Sequence, residues 1–169
     1  MNIDALFEDA AYLEQQYTFY KNKKQVRQIR QNKQLVQAHI TKAKHNLAFY
    51  HKNADDKTFL DWLIVILYYS LYHTALALIT HKQYTSKNHH ATILVLIKEY
   101  AISKQEAQLI EELAISKKDA QLYTQLKEDR HKASYNTTTT FQNTQIHTYH
   151  KQTIAFLNKA QEILHQEIH

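Results

Sequence analysis

The 169-residue chain contains neither glycine nor proline, and this double absence narrows its folds more than any other feature. Glycine supplies the positive-φ positions of two-residue hairpin turns, and proline is the residue least tolerated inside a helix. A chain without either is poorly equipped for hairpin-rich sheets and well equipped for helices joined by polar turns. The absence also removes chemistry. Phosphate-binding glycine loops, dinucleotide-binding turns and the serine nucleophile elbow all need glycine for close backbone approach or tight turning. Cysteine is missing as well, so disulfides, thiolate zinc sites and cysteine nucleophiles drop out, and a reducing, cytoplasmic setting is the expectation.

The hydrophobic residues recur at helical spacing. Ile3, Leu6, Phe7, Ala10, Leu13 and Tyr17 predict an amphipathic helix from Ile3 to Tyr20. Ile29, Val36, Ile40, Ala43, Leu47 and Tyr50 predict a second from Lys24 to Lys52, with Lys21-Asn22-Lys23 leaving the junction between them open. A central helix is expected over Thr58 to His81, with Asp55 and Asp56 as candidate caps. Tyr84 to Asn88 reads as a connection into a helix over His89 to Ala101. Ser103-Lys-Gln-Glu106 spells a capping box that starts another helix, and Ser116-Lys-Lys-Asp119 offers a weaker restart. Asn136 and the four threonines that follow read as a loop, and Thr139 to Gln142 as a further capping box. Ile146, Tyr149, Thr153, Phe156, Ala160 and Ile163 trace the inner face of a last helix. With no linker and no repeat of fixed period, the expectation is all-α: a single-domain antiparallel bundle of five to six helices.

Trp62 to Ile79 is long and apolar enough for a membrane span. His73 lies inside the run, however, Asp61 abuts it, and the amphipathic helices around it need an apolar partner. The expectation is a buried core helix and no membrane. The amino terminus, Met1-Asn2-Ile3-Asp4, lacks the character of an export signal.

The central helix reads Leu67-Tyr68-Tyr69-Ser70-Leu71-Tyr72-His73-Thr74-Ala75, then Asn88-His89-His90-Ala91 opens the next helix, and farther on comes Arg130-His131-Lys132-Ala133-Ser134-Tyr135. This order resembles the HEPN family of small helical bundles, many of which carry a Tyr-Tyr-x-x-aromatic-His-x-Ala helix, a Ser-His-like turn and an Arg-x-x-Ala-Asp-Tyr helix end. The resemblance covers residues 33–169 and leaves 1–32 as an amino-terminal helical extension carrying a basic segment. It implies a homodimer that contacts RNA or a ribonucleoprotein through a groove around Arg130. Departures are Ser134 in place of Asp, and Gln83 and Ala91 where relatives often have Gly.

Nuclease members of the family are metal-independent endoribonucleases of toxin or defence type, with an Arg followed four to six residues later by His. Here Tyr135 stands at that distance from Arg130. In that mechanism a base takes a ribose 2′-hydroxyl proton while cations stabilise the pentavalent phosphate. The candidate catalytic residues are Arg130, His131 and Tyr135. A neutral Tyr is a poor base near pH 7, and neighbouring helical residues such as Arg130 and His131 point about 100° apart. The competing reading is structural, with Arg130 paired to an acid and Tyr135 covering a helix end. In some relatives a nearby Tyr is modified by a partner nucleotidyltransferase, and Tyr135 is the analogous residue. A non-catalytic scaffold is the third alternative.

Between Glu14 and Asp55 there is no acidic residue, while Lys21, Lys23, Lys24, Arg27, Arg30, Lys33, Lys42, Lys44 and Lys52 bring nine positive charges. Against a net charge of +5 this is a local concentration suited to a phosphate backbone. Steps of four and three place Lys23, Arg27 and Arg30 on one face of the expected helix. Lys21, Lys23, Lys24, Arg27, Arg30 and Lys33 are therefore the candidate RNA-binding residues, the alternative being a solvated helix face. The chain has twelve histidines, and the pairs His147/His150 and His165/His169 are spaced for ligation from one helix face. No third ligand is indicated, so no metal and no cofactor are expected. His73 reads as a core histidine and His89 as a surface or site residue.

Overall fold

The computed structural model describes residues 1–55, 60–128 and 143–166. Among them are seven helices: α1 (Ile3–Glu8), α2 (Ala10–Asn22), α3 (Lys33–Asn53), α4 (Leu60–His81), α5 (His89–Tyr100), α6 (Lys104–Glu128) and α7 (Asn143–Gln166). Two short strands, β1 (Val26–Gln28) and β2 (Tyr84–Ser86), pair antiparallel in the register Val26 to Ser86, Arg27 to Thr85 and Gln28 to Tyr84. The all-α helical bundle holds, with more helices than the five or six expected and with one small ribbon that the sequence did not announce.

Short polar side chains start the helices, as orphan amides at helix ends require. Asn2 Oδ1 accepts from the Ala5 amide at 3.3 Å, Asp9 from Ala11 at 2.8 Å, Asn32 from Leu35 at 2.9 Å and Asn88 from Ala91 at 3.1 Å. At Ser103 the capping box closes in both directions. The Ser103 amide donates to Glu106 Oε2 at 2.7 Å, and the Glu106 amide to Ser103 Oγ at 3.2 Å.

Two predicted helices are corrected by these caps. Asp9 is extended, with φ −132° and ψ 103°, and its carboxylate caps a new helix, so Ile3 to Tyr20 divides into α1 and α2. The helix expected over Lys24 to Lys52 begins only at Lys33. Lys24 takes a φ of 57° and ends the preceding turn, β1 follows, and Asn32 caps α3. The restart proposed at Ser116 does not occur, because α6 runs unbroken from Lys104 to Glu128.

Lacking glycine, the chain places ordinary residues in the left-handed region where helices end: Lys24 (φ 57°), Gln83 (φ 62°) and Ala101 (φ 45°). Each such placement brings Cβ against the following carbonyl, a cost of roughly 1–2 kcal/mol. At Ala101 the amide donates to Ile97 O at 3.1 Å, the single bond of a left-handed helix cap.

Helix α4 is the axis of the bundle and packs against α3, α5, α6 and α7. Leu63, Ile64, Leu67, Leu71 and Leu78, all at most 2% exposed, form one face of it, and Val65, Ala77 and Ile79, also buried, lie on other sides. Among the described residues α4 is the one helix long and apolar enough to cross a membrane, and 72% of that stretch is buried inside the protein. Its hydrophobicity is thus explained by burial on most of its circumference, Trp62 and Tyr69 being the exposed exceptions. Ser70 Oγ donates to Ala43 O at 2.9 Å where α4 meets α3, so the polar group in the apolar helix is satisfied. The stripe on α7 faces inward as expected: Ile146, Tyr149, Thr153, Phe156 and Ala160 are buried. Ile3, Leu6, Tyr17 and Val26, all from the first 32 residues, belong to the same core cluster.

Candidate functional site

The basic segment lies where α2, β1 and the start of α3 succeed one another. Lys21 is in the last turn of α2, Lys24 in the turn, Arg27 in β1, Arg30 between β1 and α3, and Lys33 is the first residue of α3. All six candidate cations, including Lys23, are exposed, while Val26 between them is buried and anchors the ribbon. The single helical face expected for Lys23, Arg27 and Arg30 is contradicted, since the backbone between them turns at Lys24 and is extended in β1. The cations instead border a ribbon held to β2 and by the Ile29 amide on Gln83 O at 2.8 Å.

Two of these cations have local fixing contacts. Lys23 Nζ sits 4.3 Å above the centre of the Phe19 ring, and Arg27 Nε donates to Lys24 O at 2.9 Å. Among the described residues none of the six forms an ion pair with a carboxylate. Cations elsewhere do: Lys98 with Glu14, Lys104 with Asp4 at 2.9 Å, and Lys159 with Glu106 at 2.8 Å. The first turn of α3 also holds no acid, so the positive end of its backbone dipole adds to Arg30 and Lys33 instead of being offset.

A second cluster lies just after β2, at the start of α5. Asn88 caps that helix, and its first two residues are His89 and His90. Both imidazoles face Glu111 of α6. His90 Nε2 is 3.0 Å from Glu111 Oε1, and His89 Nε2 is 3.3 Å from Oε2. The other nitrogen of His90, Nδ1, lies 3.2 Å from the Tyr20 hydroxyl of α2. Burial pushes the Glu111 carboxyl up, but the contacts and charge of His89 and His90 outweigh it and hold the group far below the ordinary carboxylate range. Burial, followed by the nearby Glu111 charge, pushes the Tyr20 hydroxyl up, so it stays protonated. Two imidazoles and a carboxylate are the donor types of a transition-metal site.

Histidines also meet in two further pairs. His39 and His73 face each other across α3 and α4 with Nδ1 atoms 3.0 Å apart, and burial lowers both from the ordinary imidazole value. His51 and His150 join α3 to α7 with Nε2 atoms 2.8 Å apart, and His150 stacks on Tyr50 at 4.2 Å. Each pair needs one nitrogen as donor and the other as acceptor.

Arg130, His131 and Tyr135 lie outside the described residues, as does His169. Of the histidines singled out by spacing, His150 has its close partner in His51 and not in the neighbouring turn of its own helix. The cluster of His89, His90 and Glu111 escaped sequence reasoning because its carboxylate stands 21 residues beyond His90, on another helix. The adjacent histidines after a capping Asn were the available signal. No protein-family model matches this chain, and no curated protein matches it.

Proposed function

We propose that this protein binds the phosphate backbone of RNA through the segment from Lys21 to Lys33, as a HEPN-like helical bundle in the cytoplasm. The observation that carries the reading is the set of six exposed cations over these 13 positions, none paired with a carboxylate among the described residues. Unpaired surface cations keep their full hydration and counterions until a polyanion displaces them, and release of condensed counterions from the nucleic acid drives such binding. The acid-free amino-terminal end of α3 reinforces the field at Arg30 and Lys33.

Two features support the HEPN-like part. The aromatic helix from Tyr68 to Tyr72 and the His89-His90 start of α5 follow each other in the order the resemblance requires. Gln83, which stands where relatives often carry Gly, has a φ of 62°, a conformation that glycine adopts at no steric cost. The family also implies a homodimer. Trp62 and Tyr69, exposed and seven residues apart on α4, are the side chains we assign to that contact.

The test is fluorescence anisotropy with labelled single-stranded and structured RNAs. A Lys23→Gln, Arg27→Gln, Arg30→Gln variant with unchanged circular dichroism should bind at least tenfold more weakly to both. Undiminished affinity in that folded variant would remove the assignment.

A further inference from the structure

We propose that His89, His90 and Glu111 form a binding site for one divalent transition-metal ion of the zinc class, with Tyr20 as its positioning residue. The inference concerns a different set of side chains from the RNA-binding segment and does not rest on that assignment. Among the described residues no other three His, Asp or Glu side chains bring ligand atoms together in this way, and here those atoms all lie within 4.8 Å of one another.

The separations fit a metal. Zinc takes nitrogen and carboxylate oxygen at about 2.0–2.2 Å, so two ligands at tetrahedral angles stand roughly 3.3 Å apart. The observed distances are 3.0 Å for His90 Nε2 to Glu111 Oε1 and 3.3 Å for His89 Nε2 to Oε2. An ion seated among them would replace the proton between imidazole and carboxylate, with side-chain rotation drawing the three ligand atoms, within 4.8 Å of one another, to that spacing.

A purely structural ion-pair cluster leaves one atom unexplained. Glu111 Oε2 is buried and accepts no hydrogen bond among the described residues, even with His89 Nε2 at 3.3 Å. A buried carboxylate oxygen whose one near donor falls short of hydrogen-bond geometry is under-satisfied, and a coordinating cation would satisfy it. The three side chains are 17–21% exposed, shielded from bulk solvent yet open on one side. Three protein ligands and an open position for water are the arrangement of an exchangeable or reactive zinc site.

The surroundings add orientation. The Tyr20 hydroxyl lies 3.2 Å from His90 Nδ1, placed to accept from Nδ1–H once an ion replaces the proton on Nε2, so that the Nε2 lone pair is left for the metal. Such an outer hydrogen bond is the usual means of fixing a ligating histidine's tautomer. With two imidazoles, one carboxylate and no thiolate, the donor set suits Zn²⁺ and its neighbours Co²⁺ and Ni²⁺, not the all-oxygen sites of Ca²⁺ or Mg²⁺.

The experiment uses the untagged full chain, stripped with a chelator and dialysed, because a histidine tag would compete for the ion. Co²⁺ titration followed by visible absorption should give one equivalent with the intensity of a four-coordinate centre, displaced by Zn²⁺. Glu111→Gln and His89→Ala should each lose that signal. His51→Ala/His150→Ala should keep it. Tyr20→Phe should lower zinc affinity about tenfold, by loss of the outer hydrogen bond, and this mild variant provides the test should a ligand variant fail to fold. Wild-type protein that takes up neither Co²⁺ nor Zn²⁺ would overturn the proposal. So would a folded Glu111→Gln variant with wild-type affinity, or Tyr20→Phe with unchanged affinity if no ligand variant folds.

Discussion

One chemical change should act with opposite signs at two places in this chain. Ala101 ends α5 in the left-handed region, at φ 45° and ψ 46°, and is exposed. Ala48 lies inside α3 and is also exposed. Replacing Ala101 by Gly removes a left-handed penalty of roughly 1–2 kcal/mol and adds about 0.4–1 kcal/mol of unfolded-state entropy. The expected net effect is a gain of about 0.5–1 kcal/mol. Ala48→Gly has no such strain to relieve and should lose about 0.5–1 kcal/mol. For a chain of this size 1 kcal/mol moves Tm by about 2–4 °C. The two variants should therefore bracket the wild type and differ from each other by about 2–8 °C. Urea and thermal melts followed by far-UV circular dichroism read both values. If Ala101→Gly loses as much stability as Ala48→Gly, the left-handed strain assigned to α5's end is not there.

Two further outcomes follow from the core and from its histidines. Leu67 is fully buried in α4, and Leu67→Ala should cost about 2–5 kcal/mol, seen as a matching drop in urea stability of detergent-free protein; an unchanged midpoint would contradict α4 as the core axis. Burial lowers His39 and His73, and at His73 the facing His39 and the Lys42 charge lower it further. The unfolded chain, with imidazoles near their ordinary value of about 6.5, therefore binds more protons than the folded one. The stability these residues confer is complete above that value and is lost as pH falls through the lower folded values. A His39→Gln variant should show a shallower loss of urea stability between about pH 7.5 and pH 5.5 than the wild type; parallel curves would show that the pair does not carry the effect.

Much of the fold was legible because it depends on local chemistry. The absence of glycine and proline pointed to helices, the all-round apolar run marked α4 as central, and Ser103 with Glu106 marked the start of α6. The inward stripe of α7 followed from spacing alone. What failed depended on distant partners. Strands of three residues carry almost no alternation, and the pairing partner of β1 lies far along the chain, 56 positions away from Gln28 to Tyr84 at the nearest ends. Hence a stretch of apolar and basic residues read as helix. The left-handed positions of Lys24, Gln83 and Ala101 were equally hidden, since without glycine no residue type announces them. The charge of the basic segment was plain in the sequence, but its geometry was not. The meeting of His89 and His90 with Glu111 exists only after α5 packs on α6.

The most direct test of the account is the salt dependence of RNA affinity. For single strands, log K falls against log salt with a slope of about −0.7 per phosphate neutralised. If Lys23, Arg27 and Arg30 each meet a phosphate, their replacement by Gln should make the slope shallower by about 2, along with the loss of affinity. A wild-type slope near zero, or a slope that the triple substitution leaves unchanged, would contradict a phosphate-binding role for the segment from Lys21 to Lys33.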